Sequence, residues 1–220
     1  DAIVIRGASA ETLYLSIVND QVELRPADHL WGKSTADVDA LLKAEYHDSK
    51  IEIAQIGISG EKLSNFAAVM NMSNRAWGRT GIGAVMGSKK LKAIVVRGTN
   101  RVNVADKARV SALGKMAMPR MEPRGMEKFG RYGTAGAVMG QQLSGGLPTN
   151  NWDSGVMPSL ESAQWMGGER LYDELLRGAE QGTQDKHGRD TCYACVVRCK
   201  RVVESEYKQH KLDPAYGGAE

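Results

Sequence analysis

Cysteine is absent outside one short run, Cys192-Tyr-Ala-Cys195-Val-Val-Arg-Cys199, so these three thiols have no disulfide partner elsewhere in the chain. Charge of one sign is not in excess either. The 29 Lys and Arg stand against 26 Asp and Glu, a formal net charge of +3. That balance gives no argument for nucleic acid or an anionic membrane as a partner. No apolar run reaches the roughly 18 residues of a membrane-spanning helix. No basic-then-apolar signal segment opens the chain. Aromatics are few, at 6%, whereas glycine (25 residues) and methionine (10) are abundant.

A length of 220 residues allows one large domain or two small ones. The opening run Asp1-Ala-Ile-Val-Ile-Arg-Gly7 reads as a strand in progress, and Tyr216-Gly-Gly-Ala-Glu220 closes the chain in a turn. Both ends are expected of an internal piece of a longer protein, so the missing signal carries little weight. Clustered reduced thiols favour a cytoplasmic setting.

The chain divides by pattern. Ile3–Ile5 is a short β-type run. Thr12–Ile17 and Gln21–Leu24 flank Asn19-Asp20 as a hairpin would. Thr35 is a candidate cap for a helix over 36–45, with acids in its first turn. Residues 51–58 alternate as a strand, 63–75 carry apolar groups at helical spacing (Phe66, Val69, Met70), and 91–98 form a buried strand closed by Gly98. Beyond about Asn100, helical patterns take over, over 105–118, 127–142 and 161–177, with a loop from Gly145 to Trp152. The fold class expected is α+β, with a β-rich unit over 1–102 and a mainly helical unit over 103–220.

The cysteine spacing is C-x2-C-x3-C. Thiol ligands suit zinc and iron–sulfur clusters best. A cubane cluster takes four cysteines, often three close together and one distant. Arg198, Lys200 and Arg201 would offset the negative charge of such a cluster. Zinc remains open, because His187 precedes Cys192 by five positions and would complete a Cys3His site. Inert, reduced cysteines are the third reading.

Residues 72–90 form the second informative segment. Gly81, Gly83 and Gly87 give G-x-G-x-x-x-G, one residue off a dinucleotide fingerprint, and Gly87-Ser88-Lys89 falls short of a P-loop. The pattern runs from a helix into a strand rather than from a strand into a helix. Glycine amides approach oxygen atoms closely, and Arg75 and Arg79 can fork onto phosphate. An anion site and a tight turn whose glycines serve packing are both open here.

Taken together, Arg75-Ala-Trp-Gly-Arg-Thr-Gly-Ile-Gly-Ala-Val-Met-Gly-Ser-Lys89 and the Thr191–Cys199 run resemble the aldehyde ferredoxin oxidoreductase family of tungsten- and molybdenum-pterin enzymes. Gly146-Leu-Pro-Thr-Asn-Asn-Trp152 and Asp213-Pro-Ala-Tyr-Gly-Gly-Ala-Glu220 are also similar, with Ala219 where the family has Pro. The resemblance implies that Arg75, Ala76, Gly78 and Arg79 hold a bis-pterin cofactor and its phosphates. It implies that Cys192, Cys195 and Cys199 are three ligands of a [4Fe-4S] cluster close to the pterin, and that Glu220 lies near the metal and acts in proton transfer. The fold implied is the end of a pterin-binding first domain followed by the start of a helical second domain. The fourth cysteine and further pterin motifs are expected elsewhere in the intact protein, and the isolated piece is expected to be inactive.

The activity implied is oxidation of an aldehyde to a carboxylic acid under anaerobic conditions, with electrons leaving to ferredoxin or a redox subunit. A homo-oligomer or multi-subunit complex is expected. Rival readings are an aromatic acyl-thioester reductase of the same family, a Cys3His zinc module, and an electron-transfer subunit with a cluster but no pterin.

Overall fold

The computed structural model describes residues 2–71, 74–100, 102–121, 126–192, 195–203, 206–207 and 210–211. Glu220 lies outside the described residues. The chain is α+β and separates into two compact units, Asp1–Asn103 and Val104–Glu220.

The first unit is a mixed sheet with helices on both faces. Its strands are β1 (Leu13–Val18), β2 (Gln21–Pro26), β3 (Glu52–Ile56), β4 (Val69–Asn71), β5 (Arg75–Trp77) and β6 (Leu91–Arg97). They lie in the order β2-β1-β6-β3-β4-β5. β1 and β6 run parallel, and every other adjacent pair is antiparallel. The β1–β2 hairpin turns at Asn19, whose φ of 52° suits the side chain best able to occupy the left-handed region. Asn19 Oδ1 also accepts from the Thr99 amide at 3.1 Å, which ties the hairpin to the end of β6.

Strand alternation assigns the two faces. Tyr14, Ile53, Ala93 and Val95 pack on one side with Val38 and Leu42 of α1 (Thr35–Tyr46). Val38 and Leu42 stand four residues apart, so they share one helix face. The N-cap is Ser34, one residue before the expected Thr35, because the Ser34 hydroxyl accepts from the Asp37 amide at 3.2 Å. Leu15, Ile56, Val69 and Leu91 form the opposite side with Met86 of α3 (Ile82–Ser88). Buried Lys92 of β6 pairs with Glu61 of α2 (Ile58–Glu61), and Glu61 also accepts from the Gly32 amide. This pair satisfies a charge that a strand interior would otherwise leave uncompensated.

Three expectations are corrected in this unit. Residues 3–5 form no strand and are exposed. The described residues of 63–75 are not a helix; they hold a turn, then β4 and the start of β5. Phe66, Val69 and Met70 mimic helical spacing, but pairing of Val69 with Ile56 and with Trp77 decides the conformation. The glycine segment contains helix α3, so the chain runs from strand β5 into a helix, opposite to the order read from the sequence pattern.

In the second unit α4 (Lys107–Met121) and α5 (Met126–Tyr132) come first. The helix expected over 127–142 breaks at Gly133, with φ of 61°, and continues as a 3-10 turn and α6 (Val138–Ser144). That expected over 161–177 divides into α7 (Leu160–Trp165), α8 (Gly168–Arg170) and a π turn over Leu171–Leu175. Helix α9 (Gln184–His187) is followed by β7 (Arg189–Asp190), which pairs with β8 (Lys200–Arg201). β9 (Glu206–Tyr207) pairs with β10 (His210–Lys211), so β structure does not end at Asn100.

The approach of α3 to α2 leaves no space for a side chain. A Cβ on Gly87 would lie 2.0 Å from the Gly60 carbonyl oxygen. We predict that Gly87→Ala destabilises the full-length protein by about 3 kcal/mol, the upper end of overpacking costs. Gly98→Ala, where a Cβ meets nothing within 4 Å, serves as the control. A urea midpoint shared by both variants would refute the close contact.

Candidate functional site

The segment Arg75–Gly81 leaves the sheet at its edge, because β5 is the last strand. Its glycines divide by role. A Cβ on Gly81 would lie 2.3 Å from the Asn65 carbonyl oxygen, and Gly81 has φ of 66°. A Cβ on Gly83 would lie 2.5 Å from the Ala68 oxygen. Gly81, Gly83 and Gly87 therefore serve backbone packing and turn geometry. Gly78 differs: a Cβ there would meet only Ala76 Cβ, at 4.0 Å, and its φ is not in the left-handed region. Nothing in the described fold requires a glycine at 78, so its bare backbone is available to a ligand.

Arg79 is exposed beside it, and Arg75 is half-buried, its Nη1 donating to Asn74 Oδ1 at 2.8 Å. Thr80 follows with φ of 69°, a strained value for a β-branched residue that costs on the order of 1–3 kcal/mol. Its hydroxyl donates to the Arg79 carbonyl, and the turn ends at α3. The donor set of two guanidiniums and an open backbone at Gly78 fits a phosphate-bearing cofactor. Arg75, Ala76, Gly78 and Arg79 thus stand together on one strand end and its turn.

The described residues of the cysteine run lie in a loop between β7 and β8. Cys192 and Cys195 are exposed and Cys199 is half-buried, all as free thiols. The Cys195 amide donates to the Cys192 carbonyl at 2.9 Å, and the Thr191 hydroxyl donates to the same carbonyl at 2.9 Å. Among the described residues, no three or more His, Cys, Asp or Glu side chains converge as metal ligands. Neither the three thiols alone nor the set with His187 forms such a group. The chemistry of the donors nonetheless fits a soft metal centre: three sulfur atoms within eight residues, presented from one loop.

Arg189 and Arg201 hold that loop by its carbonyls, and Arg198 of the loop itself bonds carbonyls of α9 and β7. Arg201 is 1% exposed. It donates to Gly130 O at 2.6 Å, Arg198 O at 3.0 Å and Cys199 O at 3.2 Å, and also to Arg131 O. The Gly130 and Arg131 carbonyls belong to the last turn of α5, which has no intrahelical donor for them. Burial pushes the Arg201 guanidinium down to about 10, with Arg189 adding to the effect and Cys199 opposing it. Arg189 donates to Val197 O at 3.1 Å and pairs with Asp185 at 2.9 Å. Arg198 donates to Arg189 O at 2.7 Å and to Asp185 O at 3.1 Å. Two of the cations read as charge compensation, Arg198 and Arg201, thus also clamp backbone carbonyls. Arg189 escaped the sequence reading, and so did the buried Lys92–Glu61 pair. A lysine inside an apolar strand was the one available signal for the latter.

The family model described as "Aldehyde ferredoxin oxidoreductase, N-terminal domain" matches residues 1–98, and "Aldehyde ferredoxin oxidoreductase, domains 2 & 3" matches residues 111–220. A tungsten-containing aldehyde ferredoxin oxidoreductase of Thermococcus kodakarensis is 41% identical over 204 residues, covering 92% of this chain and 32% of that protein. An aliphatic sulfonate oxidoreductase, WOR-like subunit, of Pyrococcus furiosus is 34% identical over 226 residues, covering 96% of this chain and 34% of that one. Among solved structures, the active site complex BamBC of benzoyl coenzyme A reductase with 1,5-dienoyl-CoA aligns with a TM-score of 0.66 at 26% identity, covering 91% of this chain and 31% of that chain. The chain spans about a third of the length of the curated relatives it matches.

Two outcomes follow for the loop. Arg201→Met strands several buried carbonyls, each worth about 1–3 kcal/mol, so the full-length protein should unfold at lower denaturant and expose the 189–203 segment to protease first. Equal protease resistance in the variant would refute the clamp. The Arg189 guanidinium beside Asp185 holds its carboxyl below the usual range. A depressed folded-state pKa contributes stability that is present above the unfolded value and lost as pH falls through the folded one. The stability gap between wild type and Asp185→Asn should therefore be full at neutral pH and close below about pH 4, the ordinary carboxylate value. A gap that persists into acid would refute the pairing.

Proposed function

The chain belongs to the aldehyde ferredoxin oxidoreductase family, and on that premise we propose that the whole protein oxidises an aldehyde with water to a carboxylic acid, releasing two electrons and two protons. The observation that carries the reading is the loop at Arg75–Arg79, where Gly78 keeps an open backbone that packing does not require. The identity to tungsten-containing aldehyde ferredoxin oxidoreductases supports it. Arg75 and Arg79 hold phosphate oxygens by charge-assisted hydrogen bonds. Ala76 and Gly78 keep the strand end low enough for the cofactor to approach. Cys192, Cys195 and Cys199 supply three of the four thiolates of a [4Fe-4S] cluster, with the fourth elsewhere in the whole protein. Glu220 moves a proton at its carboxylate.

Bound at these residues, a tungsten bis-pterin would supply the two-electron redox centre and the iron–sulfur cluster the one-electron relay to ferredoxin or a redox subunit. The protein's part is placement and charge. Arg189, Arg198 and Arg201 place positive charge in and beside the cysteine loop and fix it through backbone carbonyls, which favours an anionic cluster there. An anaerobic cytoplasmic setting suits such a centre. The words "subunit" and "complex" in the names of two relatives favour a multi-subunit assembly. A second reading, reduction of an aromatic acyl thioester, draws on the likeness to the benzoyl coenzyme A reductase complex. Turnover on a panel of aldehydes against aromatic acyl thioesters separates the two.

The decisive measurement is iron, tungsten, molybdenum and zinc content of the anaerobically purified full-length protein. Iron with tungsten is expected, and zinc alone would overturn the reading in favour of a Cys3His module. Cys195→Ser should lose cluster absorbance and iron while keeping its fold, whereas full iron retention would sink the ligand assignment. Arg79→Ala should lower tungsten occupancy. Unchanged tungsten would leave the loop as a turn.

A further inference from the structure

Two of the chain's few aromatic residues flank the Gly78–Gly81 turn, and both are exposed: Phe66 at 91% and Trp77 at 52%. Their placement follows from the backbone. Trp77 pairs with Val69 across the β4–β5 hairpin. Asn65, next to Phe66, sets its carbonyl against Gly81, and Ala67 accepts from the Gly83 amide at 2.9 Å. The antiparallel register also sorts the side chains. Arg75 and Trp77 lie on one face of the hairpin with Asn71 and Val69, while Ala76 lies on the other with Met70.

A single exposed aromatic needs no explanation. Trp77 is set apart by its surroundings. Small residues stand on either side of it, Ala76 before and Gly78 after, and a guanidinium lies one step beyond each. The indole plane is therefore the one large apolar surface within a strand end otherwise equipped for phosphate. A ligand carrying both a phosphate and a flat fused ring satisfies all of these groups at once. Indole stacks on planar heterocycles without demanding a particular hydrogen-bond pattern.

We propose that Trp77 is a binding residue whose indole lies against the fused ring system of the pterin cofactor, with Phe66 closing the same turn. This rests on the reading of Arg75–Arg79 as the pterin phosphate cradle. It predicts that cofactor retention, and not only turnover, depends on an aromatic plane at position 77.

The test uses the full-length protein with Trp77→Ala, Trp77→Phe and Arg79→Ala, purified anaerobically. Pterin and tungsten per protein are measured before and after extended dialysis, alongside circular dichroism and the thermal midpoint. Trp77→Ala should retain cofactor roughly tenfold less well, the size of one stacking contact, while Trp77→Phe retains most of it. Indole emission should rise on cofactor release in the wild type, and rise less in Trp77→Phe. Retention unchanged in Trp77→Ala, with Arg79→Ala depleted, would overturn this inference and leave the cradle standing. A wild type without pterin would overturn both. Should Trp77→Ala fail to fold, the emission difference between wild type and Trp77→Phe decides: its absence refutes the contact.

Discussion

Helix α3 and the segment 60–68 meet at backbone distance, and the shape of the first unit around its candidate site depends on that meeting. Gly83 and Gly87 admit carbonyls of Ala68 and Gly60 where any Cβ would clash. Gly81 turns through a positive φ against Asn65. With α3 seated so low on the sheet, the four residues between β5 and the helix, Gly78 to Gly81, have one short path, and Thr80 accepts strain to complete it. Arg75, Gly78 and Arg79 are displayed at the sheet edge because the glycines after them are committed to packing. The open backbone at Gly78 gains its meaning from the crowding at the other three.

The second unit solves a comparable problem with charge. Among the described residues of the loop bearing three thiols, 191 to 199, none is buried. Its carbonyls are held instead by Arg189 and Arg201, its own Arg198 bonds carbonyls of α9 and β7, and the guanidinium of Arg201 bonds carbonyls of α5 that the helix leaves unsatisfied. Burying a guanidinium is costly, and it is tolerated here because several carbonyls surround it. The same positive charge favours an anionic centre at the loop, so fold and proposed chemistry draw on one set of side chains. Gly130 and Gly133 allow this closeness, since a Cβ at either would press on Val197 O or Cys199 O.

The legible parts of the fold share a feature: their signals are local. The Asn19 turn, the helix that starts within one residue of Thr35, the alternation of β3 and the buried apolar run of β6 depend on residues within a few positions of one another. The β4–β5 hairpin was misread as helix because three-residue strands are too short to display a period of two, while Phe66, Val69 and Met70 fall by chance on a helical spacing. Gly133 and the turn after Trp165 broke long helical patterns for a reason outside those patterns. Gly133 faces Cys199 and Gly168 faces Gly136, contacts made across tens of residues.

By itself the sequence determined the chemistry available: three thiols on one short loop, two arginines around Ala76 and Gly78, and the family those motifs point to. Residue type and spacing suffice for that, because ligand atoms and charges are properties of side chains. Only the tertiary structure decided which glycines packing requires and which one it leaves open, and that arginines near the cysteines clamp backbone carbonyls. Those assignments depend on what each atom meets across the fold, and neighbours brought together by strand pairing and helix seating leave no periodic trace in the chain.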